Sequence, residues 1–256
     1  MISLNEIFDL PQRPEKPRES GITMVIDNGM GLTRSQCIIE EAGHLIDYVK
    51  LGWCTSLVTP GVKEKVKLFG DAGIPVCLGG TFFELAHQQN RIDKYLEFAK
   101  YVGVSSVEVS DGSIDMPQET KLDYIRTFAK QFRVLSEYGS KDSSVVQQPS
   151  KWVRSMQLEL EAGAWKSIAE GRESGTAGMY RGSSELRSGL VDEIADMISP
   201  ENLIWEAPQK HQQVAFIKRF GPNVNLGNIA IDGIVPLETL RLGMRGDTLA
   251  HFHVDQ

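Results

Sequence analysis

Glu137, Glu170 and Glu206 each close a short apolar run and stand 33 and 36 residues apart. Brought to one place, three carboxylates can hold Mg2+, a hard ion that prefers oxygen ligands and keeps some of its water. Such an ion could neutralise a substrate carboxylate and the charge developing on it. The bland alternative is a set of ion pairs with nearby Arg or Lys, and spacing alone does not separate the two. Two bases stand close by. Lys50 lies inside an apolar run, where a charge is costly unless paired or functional. Lys141 follows Glu137-Tyr-Gly-Ser, in a loop from which an ammonium could give up a proton or bind an anion.

Asp27, Ser110 and Asn225 also sit at or near the ends of apolar runs. Glu170-Gly-Arg-Glu-Ser-Gly-Thr-Ala-Gly178 is too polar to be core. Its glycines would let backbone amides approach a ligand, and Arg172 can bond phosphate or carboxylate in a fork. The loop lacks G-x-x-x-x-G-K-[ST], so it is not a P-loop, and it could equally be a mobile surface segment. Asn225-Leu-Gly-Asn228 precedes a predicted helix, an arrangement that binds phosphate in many barrels or makes only a tight turn. Cys54 has no evident base beside it. His251 and His253 belong to a tail, and His44, His87 and His211 to predicted helices.

The elements that must position these groups alternate along the chain. Apolar runs fall at Thr23–Asp27, Ile46–Trp53, Ile74–Gly79, Ser106–Ser110, Arg133–Glu137, Trp165–Glu170, Leu203–Glu206 and Val224–Ile229. Helical spacing fills many of the gaps. One predicted helix is capped by Thr33 and runs to about His44, and another opens near Pro60 and stops at Ala72-Gly73. Others cover Lys121–Phe132, Pro149–Ala164, Ser184–Ile198, Pro208–Phe220 and Ile234–Leu242. Eight strands alternating with helices imply parallel βαβ units. Eight such repeats in 256 residues favour a single (β/α)8 TIM barrel over a doubly wound open sheet. One domain is expected over 1–256, with residues 1–20 an N-terminal extension and 248–256 a C-terminal tail. The strand ends of such a barrel converge on one face, where active sites of this fold lie.

Composition narrows the class. Hydrophobic residues make up 41% and charged residues 24%, enough for a sizeable core. A net charge of -7 argues against nonspecific nucleic-acid binding, without excluding a small anionic substrate. Cys37, Cys54 and Cys77 form no C-x-x-C pair, which fits a reducing cytoplasm better than a disulfide framework. No signal-peptide core and no apolar run of membrane-spanning length is present, so no membrane partner is expected.

An ordered set of motifs then carries a resemblance. It extends from Arg13-Pro-Glu-Lys-Pro-Arg18 through Asp27-Asn-Gly29, Asp47-Tyr-Val-Lys-Leu-Gly-Trp53 and Gly79-Gly-Thr81. It continues through Glu108-Val-Ser-Asp-Gly112, Glu137-Tyr-Gly-Ser-Lys141, Glu161-Ala-Gly163 and Glu170-Gly-Arg-Glu-Ser-Gly175. Glu206-Ala-Pro-Gln-Lys210, Asn223-Val-Asn-Leu-Gly-Asn228 and Leu237-Glu-Thr-Leu-Arg-Leu-Gly243 complete it, up to Gly246-Asp247. In these motifs the chain resembles the phosphosulfolactate synthase family, which includes plant heat-stress-associated relatives. The resemblance implies Mg2+-dependent addition of sulfite to phosphoenolpyruvate, giving (2R)-2-phospho-3-sulfolactate, as in coenzyme M biosynthesis. It implies Lys141 as the acid that protonates the intermediate, and it carries homotrimeric assembly as an option. Within that chemistry Glu137, Glu170 and Glu206 are candidate metal ligands by geometry. Arg172, Ser174 and Asn225 are candidates for phosphate or carboxylate, and Lys50 for sulfite or substrate. Cys54 stands where glycine is common in the family and Tyr138 where valine is, and both could reshape the mouth of the site. A noncatalytic relative acting through protein contacts, or another Mg2+ enzyme acting on a phosphorylated enolate, are the alternatives.

Overall fold

A computed structural model describes residues 7–142 and 144–253. Eight parallel strands close into a barrel in sequence order, β1 pairing with both β2 and β8. They are β1 (Thr23–Asp27), β2 (Tyr48–Leu51), β3 (Val76–Leu78), β4 (Ser106–Ser110), β5 (Arg133–Tyr138), β6 (Lys166–Ala169), β7 (Leu203–Glu206) and β8 (Leu226–Ile229). The closed barrel excludes the open sheet.

The alternation of side chains along each strand sorts the core into layers. Met24, Tyr48, Cys77, Leu135, Ile168 and Ile204 point inward and fill the lower barrel. Their neighbours Val25, Val49, Val76, Val107 and Val134 point outward and pack under the helices. One step beyond the inward apolar layer, the same alternation sets Lys50, Glu108 and Glu137 toward the axis, at the strands' carboxyl ends. The plug below is apolar because water is excluded there; the polar layer lies where the barrel opens.

The helices are α1 (Leu32–Ala42), α2 (Thr55–Val58), α3 (Val62–Asp71), α4 (Gly80–Gln88), α5 (Ile92–Val102) and α6 (Gln118–Phe128). After them come α7 (Pro149–Glu161), α8 (Ser188–Met197), α9 (Lys210–Phe220), α10 (Ile234–Arg241) and the single turn α11 (Leu249–Phe252). Several starts differ from the predicted ones. Thr33 does not cap α1: the cap position falls two residues earlier, at Gly31, with no side-chain cap. The helix expected at Pro60 opens at Val62, behind Gly61 at φ 70°. His44 falls in a 3₁₀ turn, Gly43–Leu45, beyond α1. A capping box between Gln209 and Gln212 starts α9 past Pro208. Between β3 and β4, where a helix was expected only around His87 and without bounds, the chain forms both α4 and α5.

Part of the expected N-terminal extension straps the foot of the barrel. Arg13 pairs with Glu238 at 2.9 Å and donates to the Gly21 carbonyl at 2.9 Å. Residues 1–6 of that extension and 254–256 of the tail lie outside the described residues. Among the described residues no helix is long and apolar enough to cross a membrane.

Candidate active site

The carboxyl ends of the strands surround a pocket of about 220 Å³. Lys50 from β2, Glu108 from β4, Glu137 from β5 and Glu206 from β7 rise into it, with Glu170 just past β6 and Lys141 from the loop after β5. Glu84 reaches the cluster from α4. Five carboxylates therefore share two ammonium groups, and all five are at most 3% exposed.

The contacts show how the charge is divided. Lys50 Nζ lies 2.8 Å from Glu206, 3.4 Å from Glu108 and 3.6 Å from Glu137. Lys141 Nζ lies 3.0 Å from Glu137, 3.2 Å from Glu84 and 3.8 Å from Glu170. Backbone amides hold other oxygens: Gly80 donates to Glu108 at 2.8 Å, and Gly171 to Glu206 at 2.9 Å. From outside the barrel wall, buried Lys121 of α6 donates to the Glu137 carbonyl at 2.7 Å and pins the end of β5.

Proton affinities follow from that arrangement. Burial favours the neutral form of Glu137, but Lys141 and Lys50 outweigh it and hold this carboxyl well below the usual range. Burial, then the charge of Glu137, pushes Glu108 and Glu170 well above it. Burial alone would lower both lysines. Glu108, Glu206 and Glu137 instead raise Lys50 well above the ordinary value, and Glu137, Glu170 and Glu84 raise Lys141. Both ammonium groups are thus held charged, while the acids compete for too little positive charge.

Three of the acids are placed to hold a cation. One oxygen from each of Glu137, Glu170 and Glu206 lies within 4.8 Å of the others. Glu137 Oε1 and Glu170 Oε2 are buried and both face the Lys141 ammonium, at 3.0 and 3.8 Å. Hard oxygen donors with spare lone pairs and excess negative charge fit a divalent ion such as Mg2+.

The structure brings five of the sequence-predicted residues, Lys50, Glu137, Lys141, Glu170 and Glu206, into this one cluster. Arg172 stands at its exposed rim, donating to the Lys141 carbonyl at 3.1 Å. Two others lie elsewhere. Ser174 faces solvent and hydrogen-bonds Thr176 at 2.7 Å. Asn225 sits at the opposite end of β8, where it accepts from the Ile22 amide at 2.9 Å and donates to the Leu203 carbonyl at 2.9 Å. It closes the barrel's foot, and Asn228 of the same motif lines the pocket instead. Asp27 serves structure as well: it caps the turn at Gly29 and Met30 and pairs with buried Lys65. Neither Cys54 nor Tyr138 lines this pocket; Tyr138 is packed edge-on against Trp152 and borders a neighbouring hollow.

Sequence reasoning missed Glu84 and Glu108 as site residues. Glu108 was detectable, because Ser106, Glu108 and Ser110 are the polar phase of an alternating strand whose other phase is Val107 and Val109. Three pocket residues, Trp53, Arg172 and Asn228, are non-glycine residues at φ 51°, 59° and 54°. Trp53 and Arg172 each cost about 1–2 kcal/mol of backbone energy there, Asn228 less because asparagine tolerates this region, and such strain collects at functional sites.

Comparisons with known proteins show the family and the fold. A family model described as (2R)-phospho-3-sulfolactate synthase (ComA) matches residues 11–247. The chain is 42% identical to phosphosulfolactate synthase of Bacillus subtilis over 94% of its own length and 97% of the relative's. It is 39% identical to phosphosulfolactate synthase of Methanothermobacter thermautotrophicus, covering 94% and 96%. Identity to Protein HEAT-STRESS-ASSOCIATED 32 of Arabidopsis thaliana is 25%, covering 90% and 88%. Among solved structures, a phosphonopyruvate hydrolase complexed with oxalate and Mg2+ superposes with a TM-score of 0.55 at 12% identity, covering 84% of this chain and 77% of that one. At that identity the likeness is one of fold.

Proposed function

The chain belongs to the (2R)-phospho-3-sulfolactate synthase family, and on that premise we propose that it adds sulfite to phosphoenolpyruvate, giving (2R)-2-phospho-3-sulfolactate with Mg2+ bound. The observation that carries the reading is the buried group of Glu137, Glu170 and Glu206 with Lys141 beside it. In this reaction the sulfur lone pair of sulfite forms a C–S bond to the terminal carbon of phosphoenolpyruvate. The π electrons move toward the adjacent carbon and its carboxylate, and that carbon then takes a proton.

Glu137, Glu170 and Glu206 are the residues that would hold the metal. When bound, Mg2+ supplies Lewis-acid stabilisation of the negative charge that grows on the substrate carboxylate. Lys141 carries the proton. Its ammonium is kept charged by Glu137, Glu170 and Glu84, so the acid is loaded before the substrate arrives. A cation held by Glu137 and Glu170 would offset part of the negative charge that keeps this proton on Lys141. Lys50 sits among Glu206, Glu108 and Glu137, where its fixed charge offsets the repulsion a trianionic substrate would meet. Arg172 at the rim presents a fork suited to phosphate or carboxylate.

Incubation of the purified chain with phosphoenolpyruvate, sulfite and Mg2+ tests the proposal, with mass spectrometry of the product. Phosphosulfolactate should form, stop with a chelator and resume with Mg2+. A folded protein that yields none under these conditions would overturn it.

A further inference from the structure

The eighth strand carries one residue more than its neighbour can pair. Thr23 and Val25 of β1 are two positions apart, yet they partner Leu226 and Ile229 of β8, three positions apart. Gly227 faces the barrel interior, since a Cβ built there would meet Ile204 at 3.1 Å and Glu206 at 3.8 Å. Simple alternation would then turn Asn228 away from the axis. The extra residue, with φ 54° at Asn228, brings it to the pocket wall instead. Bulges of this kind re-aim a side chain next to a site.

What the distortion delivers is an amide. Asn228 is 4% exposed, and its Oδ1 is buried with no hydrogen-bond partner. A buried oxygen without a partner costs stability, and no described protein group offers it a hydrogen bond. A ligand would. The amide can turn its NH2 into the pocket by rotation about its last bond, so it can donate as readily as accept. It is also neutral. In a pocket already lined by Glu206, Glu170 and Glu137, an anionic substrate can approach an amide where it could not approach another carboxylate.

We propose that Asn228 is a substrate-binding residue whose side-chain amide donates a hydrogen bond to an anionic oxygen of phosphoenolpyruvate. The inference rests on the synthase reading above, and its test separates the two. Asn228→Gly removes the amide and relieves the left-handed backbone, so a purely conformational role predicts unchanged binding in a protein at least as stable as wild type. Substrate binding predicts a different split. Asn228→Gly should keep or raise Tm, while phosphoenolpyruvate affinity, titrated with Mg2+ and without sulfite, falls roughly 10- to 100-fold. KM should rise by a similar factor, with kcat less affected. Asn228→Asp, which keeps shape and adds charge, should bind more weakly still. Wild-type affinity in Asn228→Gly would overturn the inference and leave the synthase reading standing. Wild-type protein that binds phosphoenolpyruvate but forms no product would overturn the synthase reading, with Asn228 still decided by the titration. Wild-type protein that binds no phosphoenolpyruvate would remove both.

Discussion

Lys50 and Lys141 carry the same charge in different surroundings, and their replacement should separate stability from chemistry. Lys50 is 5% exposed and touches three carboxylates that have few other cations within reach. Lys50→Ala leaves buried, uncompensated negative charge, and breaking such a pair costs about 3–5 kcal/mol; thermal unfolding should show a large drop in Tm. Lys141 stands nearer the opening, and its removal leaves carboxylates that solvent or a cation can reach. Lys141→Ala should fold, bind phosphoenolpyruvate and lose kcat by about 100- to 10,000-fold, the usual contribution of a positioned acid. Lys141→Arg should not restore the rate, because guanidinium keeps its proton. Near-normal kcat in folded Lys141→Ala would remove the acid role, and weakened binding with unchanged kcat would recast Lys141 as an anion-binding group. Lys50 was legible in sequence because a charge inside an apolar run is costly and therefore conspicuous; Lys141, in a loop, stood out through the family resemblance. Glu84 was not legible: it lies in the middle of a helix, and only the approach of α4 to β4 makes it a neighbour of Lys141.

That approach depends on Gly80, the first residue of α4. A Cβ on Gly80 would meet Ser110 Cβ at 2.5 Å and Glu108 Oε1 at 2.7 Å. The backbone amide of Gly80 is also the donor that orients Glu108. Gly80→Ala should push the start of α4 outward, loosen the Glu84–Ser110 and Glu84–Lys141 contacts, and strain β4. Overpacking of this kind typically costs about 1–3 kcal/mol, so both Tm and kcat should fall; a variant with wild-type values for both would show that α4 can shift freely. The same scale explains which elements the sequence hid. The strands were readable because each is a short apolar run of fixed period. The stretch from Gly79 to Val104 was not resolved into two helices, since Gly79-Gly80 reads as a turn and the helix start has no capping side chain to mark it. Asn225 was misplaced because it leads into β8 instead of closing it and so lies at the barrel's foot; Asn228 was hidden by the irregularity that follows. Counting alternate positions along β8 gives the wrong facing once an extra residue enters the strand, and bulges have no spacing signature.

Across the whole molecule, the buried cluster should make stability depend on pH in two directions. Glu137 has its proton affinity depressed on folding, so the stability it contributes is present above the ordinary glutamate range and is lost as pH falls through its folded value. Glu108 and Glu170 have theirs raised, so their contribution is full below the unfolded value and is lost as pH rises through the folded one. Without a metal, the protein should therefore be most stable between these limits and weaken toward alkaline pH, as more negative charge is forced onto the two lysines. Binding of Mg2+ at Glu137, Glu170 and Glu206 would favour the ionised form of Glu170, whose proton affinity is raised, so the ion's apparent affinity should rise with pH and its stabilising effect with it. Tm measured across pH in chelator and in Mg2+ should give two curves that converge in acid and diverge toward alkali, the Mg2+ curve lying higher. Glu170→Gln, which cannot ionise and is a poorer ligand for a hard ion, should flatten the alkaline limb in chelator and shrink the gap between the curves. Parallel curves with no Mg2+ effect at any pH would mean that the acids are balanced by the lysines alone, and that the cluster does not hold the ion.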